Sequence, residues 1–227
     1  MHKLFLSLSK LIFIVPLLFL ATSCSLENDN YDYGKLSAIS LVNAVPEERP
    51  LEVFIDRSKL TEVNPAFGYG EHIAYRNVYP GERSISIFKA GEGDATLAGS
   101  FLFEAGKIYS FFISGGEKEL HVQQIEDKIL VPESGYCSIR FVHMVKSMQP
   151  QALLVNNKEL STAVAYKEAS DFISLNVNSP LKLSLSGNKN ITHEFKPTSQ
   201  GVYTILLQGD GIGDGARFKP TLSVLVN

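Results

Sequence analysis

The two cysteines are the most reactive side chains of this sequence, and their surroundings differ. Cys24 follows an apolar run and the small residues Ala21, Thr22 and Ser23, and it precedes the acidic segment "SLENDNYDYGK". Cys137 lies in "GYCSIRFVH", near the start of a mostly apolar stretch. A free cysteine in such a stretch is more often a small buried hydrophobic residue than a nucleophile. We therefore predict no catalytic role for Cys137.

The segment before Cys24 predicts an export signal. A basic start precedes an apolar run, residues 11–21, which Pro16 interrupts and which is too short to cross a bilayer comfortably. Its end resembles a bacterial lipobox, in which the cysteine is diacylated and becomes the new N-terminus, although Leu20 stands one place earlier than the usual leucine. We predict that residues 1–23 are removed and that Cys24 carries a membrane anchor. A standard signal peptide with an incidental cysteine is the alternative.

Residues 24–35 are polar and predict a solvated tether. Twelve extended residues reach roughly 40 Å, enough to lift a domain off a lipid surface. The acids Glu27, Asp29 and Asp32 resemble the surface-export signal of lipoproteins in Bacteroidota. We therefore expect an outer-membrane lipoprotein exposed at the cell surface, with a plain linker on a periplasm-facing protein as the alternative.

The histidines and acidic residues are not spaced in the sequence as in a recognisable metal-binding motif. No two of the histidines after Cys24 lie within five residues of each other; they are His72, His121, His143 and His193. The segment "QGDGIGDGARF" offers Asp210 and Asp214 as calcium ligands, but it lacks the EF-hand order and a terminal glutamate. A glycine-rich hairpin at 209–215 explains it sufficiently. We predict no metal and no cofactor.

The remaining candidates for chemistry are also weak. No G-x-S-x-G or supported S-x-x-K motif is present, so we predict a protein that is not an enzyme. Tyr69, Tyr75 and Tyr79 could form a sugar-stacking platform, but there is no Trp, and core or edge packing is the preferred interpretation. A formal charge of −3 with scattered lysines excludes a nucleic-acid-binding stripe.

The elements that position these residues come as an internal duplication. "ISLVNAV" at 39–45 aligns with "IRFVHMV" at 139–145, and "GKIYSFFISG" at 106–115 aligns with "QGVYTILLQG" at 200–209. Polar and apolar residues alternate in "RSISIF" and "LKLSLSG", as in half-buried strands. "KIYSFFI" and "VYTILLQ" are denser apolar runs, which suits central strands.

Turn signals every eight to twelve residues complete the prediction of an all-β fold. We predict two tandem immunoglobulin-like or transthyretin-like antiparallel β-sandwich domains of about seven strands each. The predicted boundaries are a first sandwich at 36–130, a linker at 131–134 and a second sandwich at 135–227. A linker this short fixes proximity of the two sandwiches but not the angle between them.

These segments also carry a family resemblance. A strand ends in Asn43, or in His143 in the second copy, and a Pro-containing turn and a strand ending in Asp56 follow. "YPG" and "EAGK" come later in the first copy. The pattern resembles domain of unknown function 4397, a family of bacterial secreted and surface domains, over about residues 37–127. The second copy keeps "FVH" and "YTILL" and lacks the two Gly turns. The resemblance implies a sandwich in an envelope protein and implies no activity.

Together these patterns predict a non-catalytic envelope lipoprotein that binds a partner or builds a surface structure through its sandwiches. The membrane is one partner, through Cys24, and a protein or glycan at the cell surface is the other. A glycan-binding lipoprotein of a nutrient-uptake system is the alternative function. An enzyme would require a carboxylate pair with a raised pKa between the two sandwiches. For Asn43 and His143 we expect hydrogen bonds to the backbone of the following turn.

Overall fold

A computed structural model describes residues 35–116, 119–211 and 216–227 of the chain. The predicted signal peptide, Cys24 and most of the tether lie outside the described residues. The described residues belong to one compact unit. No helix among the described residues is long and apolar enough to cross a membrane.

Sixteen strands build this unit, eight from each copy of the duplicated sequence. The first copy contains β1 (Ser37–Asn43), β2 (Leu51–Ile55), β3 (Ser58–Lys59), β4 (His72–Val78), β5 (Gly81–Lys89), β6 (Leu97–Phe103), β7 (Ile108–Gly115) and β8 (Leu120–Glu126). The second contains β9 (Tyr136–His143), β10 (Leu153–Val155), β11 (Lys158–Glu159), β12 (Ile173–Asn176), β13 (Leu181–Leu185), β14 (Thr192–Phe195), β15 (Val202–Gln208) and β16 (Thr221–Val226). A short 3₁₀ helix, Leu60–Val63, follows β3.

The strands form four four-stranded sheets with the same order in both copies. The first copy has an inner sheet β4-β1-β7-β8 and an outer sheet β3-β2-β5-β6. The second copy repeats them strand for strand as β12-β9-β15-β16 and β11-β10-β13-β14. The all-β fold and the tandem sandwiches predicted from the sequence are thus confirmed. Each copy has eight strands rather than about seven because a two-residue strand, β3 or β11, extends the outer sheet.

One pairing in each copy departs from the antiparallel expectation. β1 runs parallel to β7, and β9 runs parallel to β15, whereas the other pairings are antiparallel. The chain crosses from the outer to the inner sheet between β6 and β7. Because β6 ends at the end of the sandwich where β1 begins, β7 also begins there and runs in the same direction as β1. The hydrogen bond from Ala38 N–H to Lys107 O, 3.1 Å long, marks this junction.

Each sandwich has its own apolar core. In the first copy, inward-facing residues of the inner sheet, such as Ile39 and Phe111, pack on Val53, Ile85 and their neighbours in the outer sheet. The second copy repeats this core between Ile139 or Ile205 of its inner sheet and the leucines of its outer sheet. The alternating segments predicted as half-buried strands are β5 and β13, and the dense apolar runs are the central strands β7 and β15.

A third apolar cluster joins the two sandwiches. It is formed by the outward-facing residues of the two inner sheets, Val42, Ala44 and Phe112 from the first copy and Val142, Met144, Leu206 and Leu225 from the second. For this reason β1 and β15 are buried along their whole length on both faces, and β9 is buried after its first residue, Tyr136. The molecule is a stack of four sheets, with the two inner sheets in contact.

Candidate functional site

The structure places Cys137 inside the second core. Its side chain is 0% exposed, and burial raises the pKa of the thiol. A thiol in such surroundings remains protonated and out of reach of a substrate. That Cys137 has no catalytic role stays a prediction.

Asn43 and His143 hold the turns that follow β1 and β9. Asn43 Oδ1 accepts a hydrogen bond of 3.0 Å from the backbone N–H of Val45, and His143 Nδ1 accepts one of 3.2 Å from Val145. The predicted turn-holding role of both residues is therefore confirmed. Burial lowers the pKa of His143, and the neutral ring that results is the form in which Nδ1 can accept.

The three tyrosines of the possible sugar platform lie apart and have different partners. The Tyr69 ring packs edge-on against Phe218 at 4.9 Å between centroids. Tyr75 donates a hydrogen bond of 2.5 Å to Asp127. Tyr79 is 53% exposed, with the Arg83 guanidinium 6.0 Å from its ring. Packing rather than a stacking platform accounts for Tyr69 and Tyr75, as the sequence favoured.

Of the glycine-rich segment at 209–215, residues 209–211 are described and follow β15, and Asp214 lies outside the described residues. Asp210 Oδ2 accepts the backbone N–H groups of Arg217 and Phe218 at 3.2 and 3.3 Å. Gly209 adopts a φ of 143°, and a Cβ there would meet Phe218 O at 2.8 Å. Its counterpart Gly115 has a φ of 122° and the same restriction. Among the described residues no cluster of three His, Cys, Asp or Glu side chains could hold a metal ion.

The two copies meet through the same face, as in a twofold dimer. Val42 and Val142 are equivalent positions of the duplication, and so are Ala44 and Met144, Phe112 and Leu206, and Ile125 and Leu225; all belong to the shared cluster. A contact in which each partner uses the same patch is isologous. The sandwiches therefore form a pseudo-dimer within one chain.

A buried ion pair lies inside this interface. Arg140 of β9 contacts Asp127, which follows β8, through Nη1 and Oδ1. Arg140 is 2% exposed and Asp127 is 4% exposed. The guanidinium also stacks near Phe172 at 4.8 Å and near Phe112 at 5.7 Å from the ring centroids. Burying two charges requires that the remaining donors and acceptors also be satisfied.

Hydroxyl groups from both copies complete this network. Arg140 Nη2 donates to Ser110 Oγ at 3.0 Å, and Nε donates to Thr204 Oγ1 at 2.8 Å. Asp127 Oδ2 accepts from Ser110 at 2.6 Å as well as from Tyr75. Thr204 in turn donates to Asn227 Oδ1 at 2.7 Å. All three guanidinium nitrogens of Arg140 and both carboxylate oxygens of Asp127 therefore have a partner within the protein.

The network also breaks the symmetry of the pseudo-dimer. Asp127 and Asn227 are equivalent positions, Ser110 matches Thr204, and Arg140 matches Ser40. Contact between two first copies would bury two carboxylates without a cation, and contact between two second copies would bury two guanidiniums without an anion. Only the pairing of a first with a second copy neutralises the charge, so the network specifies which faces join.

A cleft of about 510 Å³ opens where the two sandwiches meet at the turns after β1, β7, β9 and β15. Equivalent positions from both copies line it, namely Pro46 and Lys146, Gly115 and Gly209, and Gly116 and Asp210. The cleft also contains Glu119, His121, Met144, Ser147 and Tyr166. We call this end of the molecule the cleft end. Its size lies within the range of small-ligand sites.

Ion pairs fix the rim of the cleft. A groove of about 360 Å³ continues from it past Pro46 and Asp210, and Glu48 of one copy contacts Arg217 of the other at its edge. Beneath this edge the buried Lys89 Nζ lies 2.7 Å from Glu47. Burial opposes ionisation of Glu47, but its hydrogen bonds to Lys89 and Arg49 outweigh this and lower its pKa.

Sequence reasoning missed both the ion pair and the cleft. Arg140 stands inside the apolar strand "SIRFVH", and a charge at such a position is the signal that could have revealed a buried partner. The acid at the interface, Asp127, lies against a guanidinium rather than against a second carboxylate. The carboxylate pair that an enzyme of this architecture was expected to need is therefore not formed by Asp127.

The chain is similar to one protein family and to several solved structures. The family model described as "Domain of unknown function (DUF4397)" matches residues 37–150, which include the first sandwich and β9. No curated protein matches the sequence. A solved family 26 carbohydrate-binding module from Eubacterium rectale Amy13K, in complex with maltoheptaose, covers 85% of this chain and 96% of its own at 8% identity and a TM-score of 0.24. A TM-score this low supports no inference about fold or ligand.

Proposed function

This chain belongs to the DUF4397 family of domains of unknown function, and we propose that it is a non-catalytic binding module that takes its ligand in the cleft between its two sandwiches. The main support for this proposal is that both copies contribute equivalent residues to the lining of the cleft. Two equivalent turns of each copy supply most of it, and a buried hydrogen-bonded network joins those copies. A preformed site of this kind loses little entropy when it binds.

The chemistry of the lining supports binding rather than catalysis. Lys146, Glu119 and Asp210 offer charges of both signs, while Met144 and the ring of Tyr166 offer apolar surface. A few polar groups around an apolar floor are typical of ligand sites. Cys137 and His143 are buried away from the cleft, and the imidazole that lines it, His121, has Nε2 3.6 Å from Glu119 Oε1.

We propose further that the module is held at the outer membrane through acylated Cys24, most simply at the cell surface. The sequence before Cys24 and the polar tether after it support this placement. A protein segment or a glycan of the cell surface is then the ligand. The glycan alternative has one specific support, the aromatic ring of Tyr166 in the cleft.

The test is a binding screen followed by matched variants. Glycan and peptide arrays are probed with the protein, and the best ligand is titrated against Glu119→Ala/Lys146→Ala, which removes two charges from the cleft. Lys158→Ala/Glu159→Ala, in the exposed strand β11, removes the same two charges elsewhere. We expect affinity to fall about tenfold or more in the cleft variant, equivalent to about 1.4 kcal/mol, and to stay unchanged in the control. Equal affinity in both variants would place the ligand outside the cleft.

A further inference from the structure

The end of the molecule opposite the cleft is the end at which the predicted tether enters. In the first copy, β1 and β7 begin there, and β4 and β8 end there. In the second copy, β9 and β15 begin there, and β12 and β16 end there. Leu36, just after the tether, accepts a hydrogen bond of 3.2 Å from Gly106 N–H at this end. We call it the tether end.

Exposed apolar side chains are concentrated at the tether end. Seven large hydrophobic residues of the described chain are highly exposed, and six of them lie here; these six are Tyr79, Leu102, Leu130, Val131, Tyr136 and Val226. Tyr79 follows β4, and Tyr136 begins β9. The seventh, Val63, follows β3 in the 3₁₀ helix, away from the tether. Scattered exposed apolar residues need no explanation, but their accumulation at one end does.

The most exposed of them are adjacent in the sequence. Leu130 is 83% exposed and Val131 is 75% exposed, in the connection between the two sandwiches. Both ends of this connection are held. Asp127 N–H donates to Ile108 O at 2.8 Å before it, and Gln200 Nε2 donates to Pro132 O at 3.3 Å after it. A short segment held at both sides therefore presents two large apolar side chains outward.

We infer that the tether end docks on the lipid bilayer, with Leu130 and Val131 inserted among the headgroups and acyl chains; this rests on the proposed acylation of Cys24. The tether from Cys24 to Lys35 reaches roughly 40 Å at most, which keeps this end within reach of the anchoring lipid. Tyr79 and Tyr136 are the side-chain type that collects at membrane–water interfaces.

Lys107, a cation at this end, contributes little attraction to lipid, which leaves apolar burial as the driving force that we propose. Lys107 lies 2.8 Å from Glu104 and 3.1 Å from Glu126, so its charge is neutralised locally. With a net charge of −3 on the chain, attraction to anionic lipid is weak. Docking should therefore occur on zwitterionic as well as anionic bilayers and should be insensitive to salt.

The absence of Trp from the sequence makes the test simple, because one introduced Trp reports its own surroundings. The full chain is reconstituted in phosphatidylcholine vesicles as the variant Val131→Trp. Val63→Trp, at an exposed valine away from the tether end, is the control. We expect the emission of the residue at 131 to shift to shorter wavelength and to be quenched severalfold by brominated lipid, and the emission at 63 to do neither.

A second pair of variants connects this signal to the two apolar side chains. In a chain with Tyr136→Trp as reporter, Leu130→Ser/Val131→Ser should abolish quenching, whereas Val63→Ser should leave it unchanged. Loss of quenching with an unchanged unfolding temperature separates docking from misfolding. Quenching that survives the double substitution would overturn the role of these two residues.

The remaining outcomes separate docking from anchoring. Fatty-acid labelling of the same preparation reports acylation of Cys24. If no label is incorporated, the chain is coupled through the Cys24 thiol to a maleimide-bearing lipid, and the buried Cys137 does not compete. Unquenched, solvent-like emission at 131 in an anchored chain overturns docking whatever the labelling shows. A shift at 131 without quenching means that protein, not lipid, covers this end, and it overturns the inference as well.

Discussion

The cleft end and the tether end are built from the same duplicated strands but differ in their surfaces. At the cleft end, tight turns at Gly115 and Gly209 bring charged side chains of both signs around an apolar floor. At the tether end, the connection between the copies exposes Leu130 and Val131. The strand order is the same in both copies, and these features lie in the turns and connections between strands. Loops on a rigid scaffold are where binding functions usually develop.

Removal of the lipid anchor should have the largest effect, on membrane binding, because acyl chains contribute far more membrane affinity than the two apolar side chains of the tether end. Burial of each CH₂ contributes about 0.8 kcal/mol, and two or three acyl chains give stable anchoring. Cys24→Ala should abolish incorporation of labelled fatty acid and shift the protein out of the detergent phase in phase partitioning. Ser23→Ala is the neighbouring control. Unchanged labelling would contradict the lipoprotein assignment.

Loss of the buried cation should have the next largest effect, because both ends depend on the interface that it holds. Arg140→Ala leaves the carboxylate of Asp127 buried without its partner, which costs about 3 to 5 kcal/mol. Urea unfolding measures the loss. The exposed pair of Arg49 and Glu92 is the control, and Glu92→Ala, which leaves the bond from Arg49 to Glu47 in place, should cost no more than about 1 kcal/mol. Equal losses in the two variants would show that the interface is not specified by charge.

A smaller effect should follow from replacing Tyr75 by the residue at the equivalent position of the second copy, Phe172. Tyr75→Phe removes one hydrogen bond to Asp127 and the acceptor for Asn227 Nδ2, which lies 3.1 Å from Tyr75 Oη. We expect a loss of about 1 to 3 kcal/mol in the free energy of unfolding, since the bond involves a charged group. No loss would mean that water or Ser110 replaces the hydroxyl.

The smallest effect should be a change in the pH dependence of stability. Burial lowers the pKa of His143 below its ordinary value, so the unfolded chain binds protons more readily than the folded one. This contribution is complete above the ordinary histidine pKa, and it declines as pH falls from there towards the folded pKa. His143→Asn copies Asn43, keeps an acceptor for the turn and should flatten thermal stability between about pH 7 and pH 5. A variant with the wild-type slope would assign the slope to another group, such as His72, whose pKa burial also lowers.

Local patterns were sufficient to predict the fold, and they failed where the two copies meet. Alternation in "RSISIF" and density in "YSFFIS" reported correctly which strands are half-buried and which are central. The parallel pairing of β1 with β7 depends on a crossing between sheets, which no single strand records. The burial of Arg140 depends on Asp127, and the cleft depends on turns that lie far apart in the sequence. Contacts of this kind leave no periodicity in a sequence.

Hydrogen–deuterium exchange of the vesicle-bound chain, with and without the ligand selected by the arrays, tests the central claim most directly. The account predicts ligand-dependent protection in the turns at 44–50 and 144–150 and around Gly115 and Gly209, with the outer sheets unchanged. Protection confined to one sandwich, or appearing at Leu130 and its neighbours instead of the turns, would contradict binding in the cleft between the two copies.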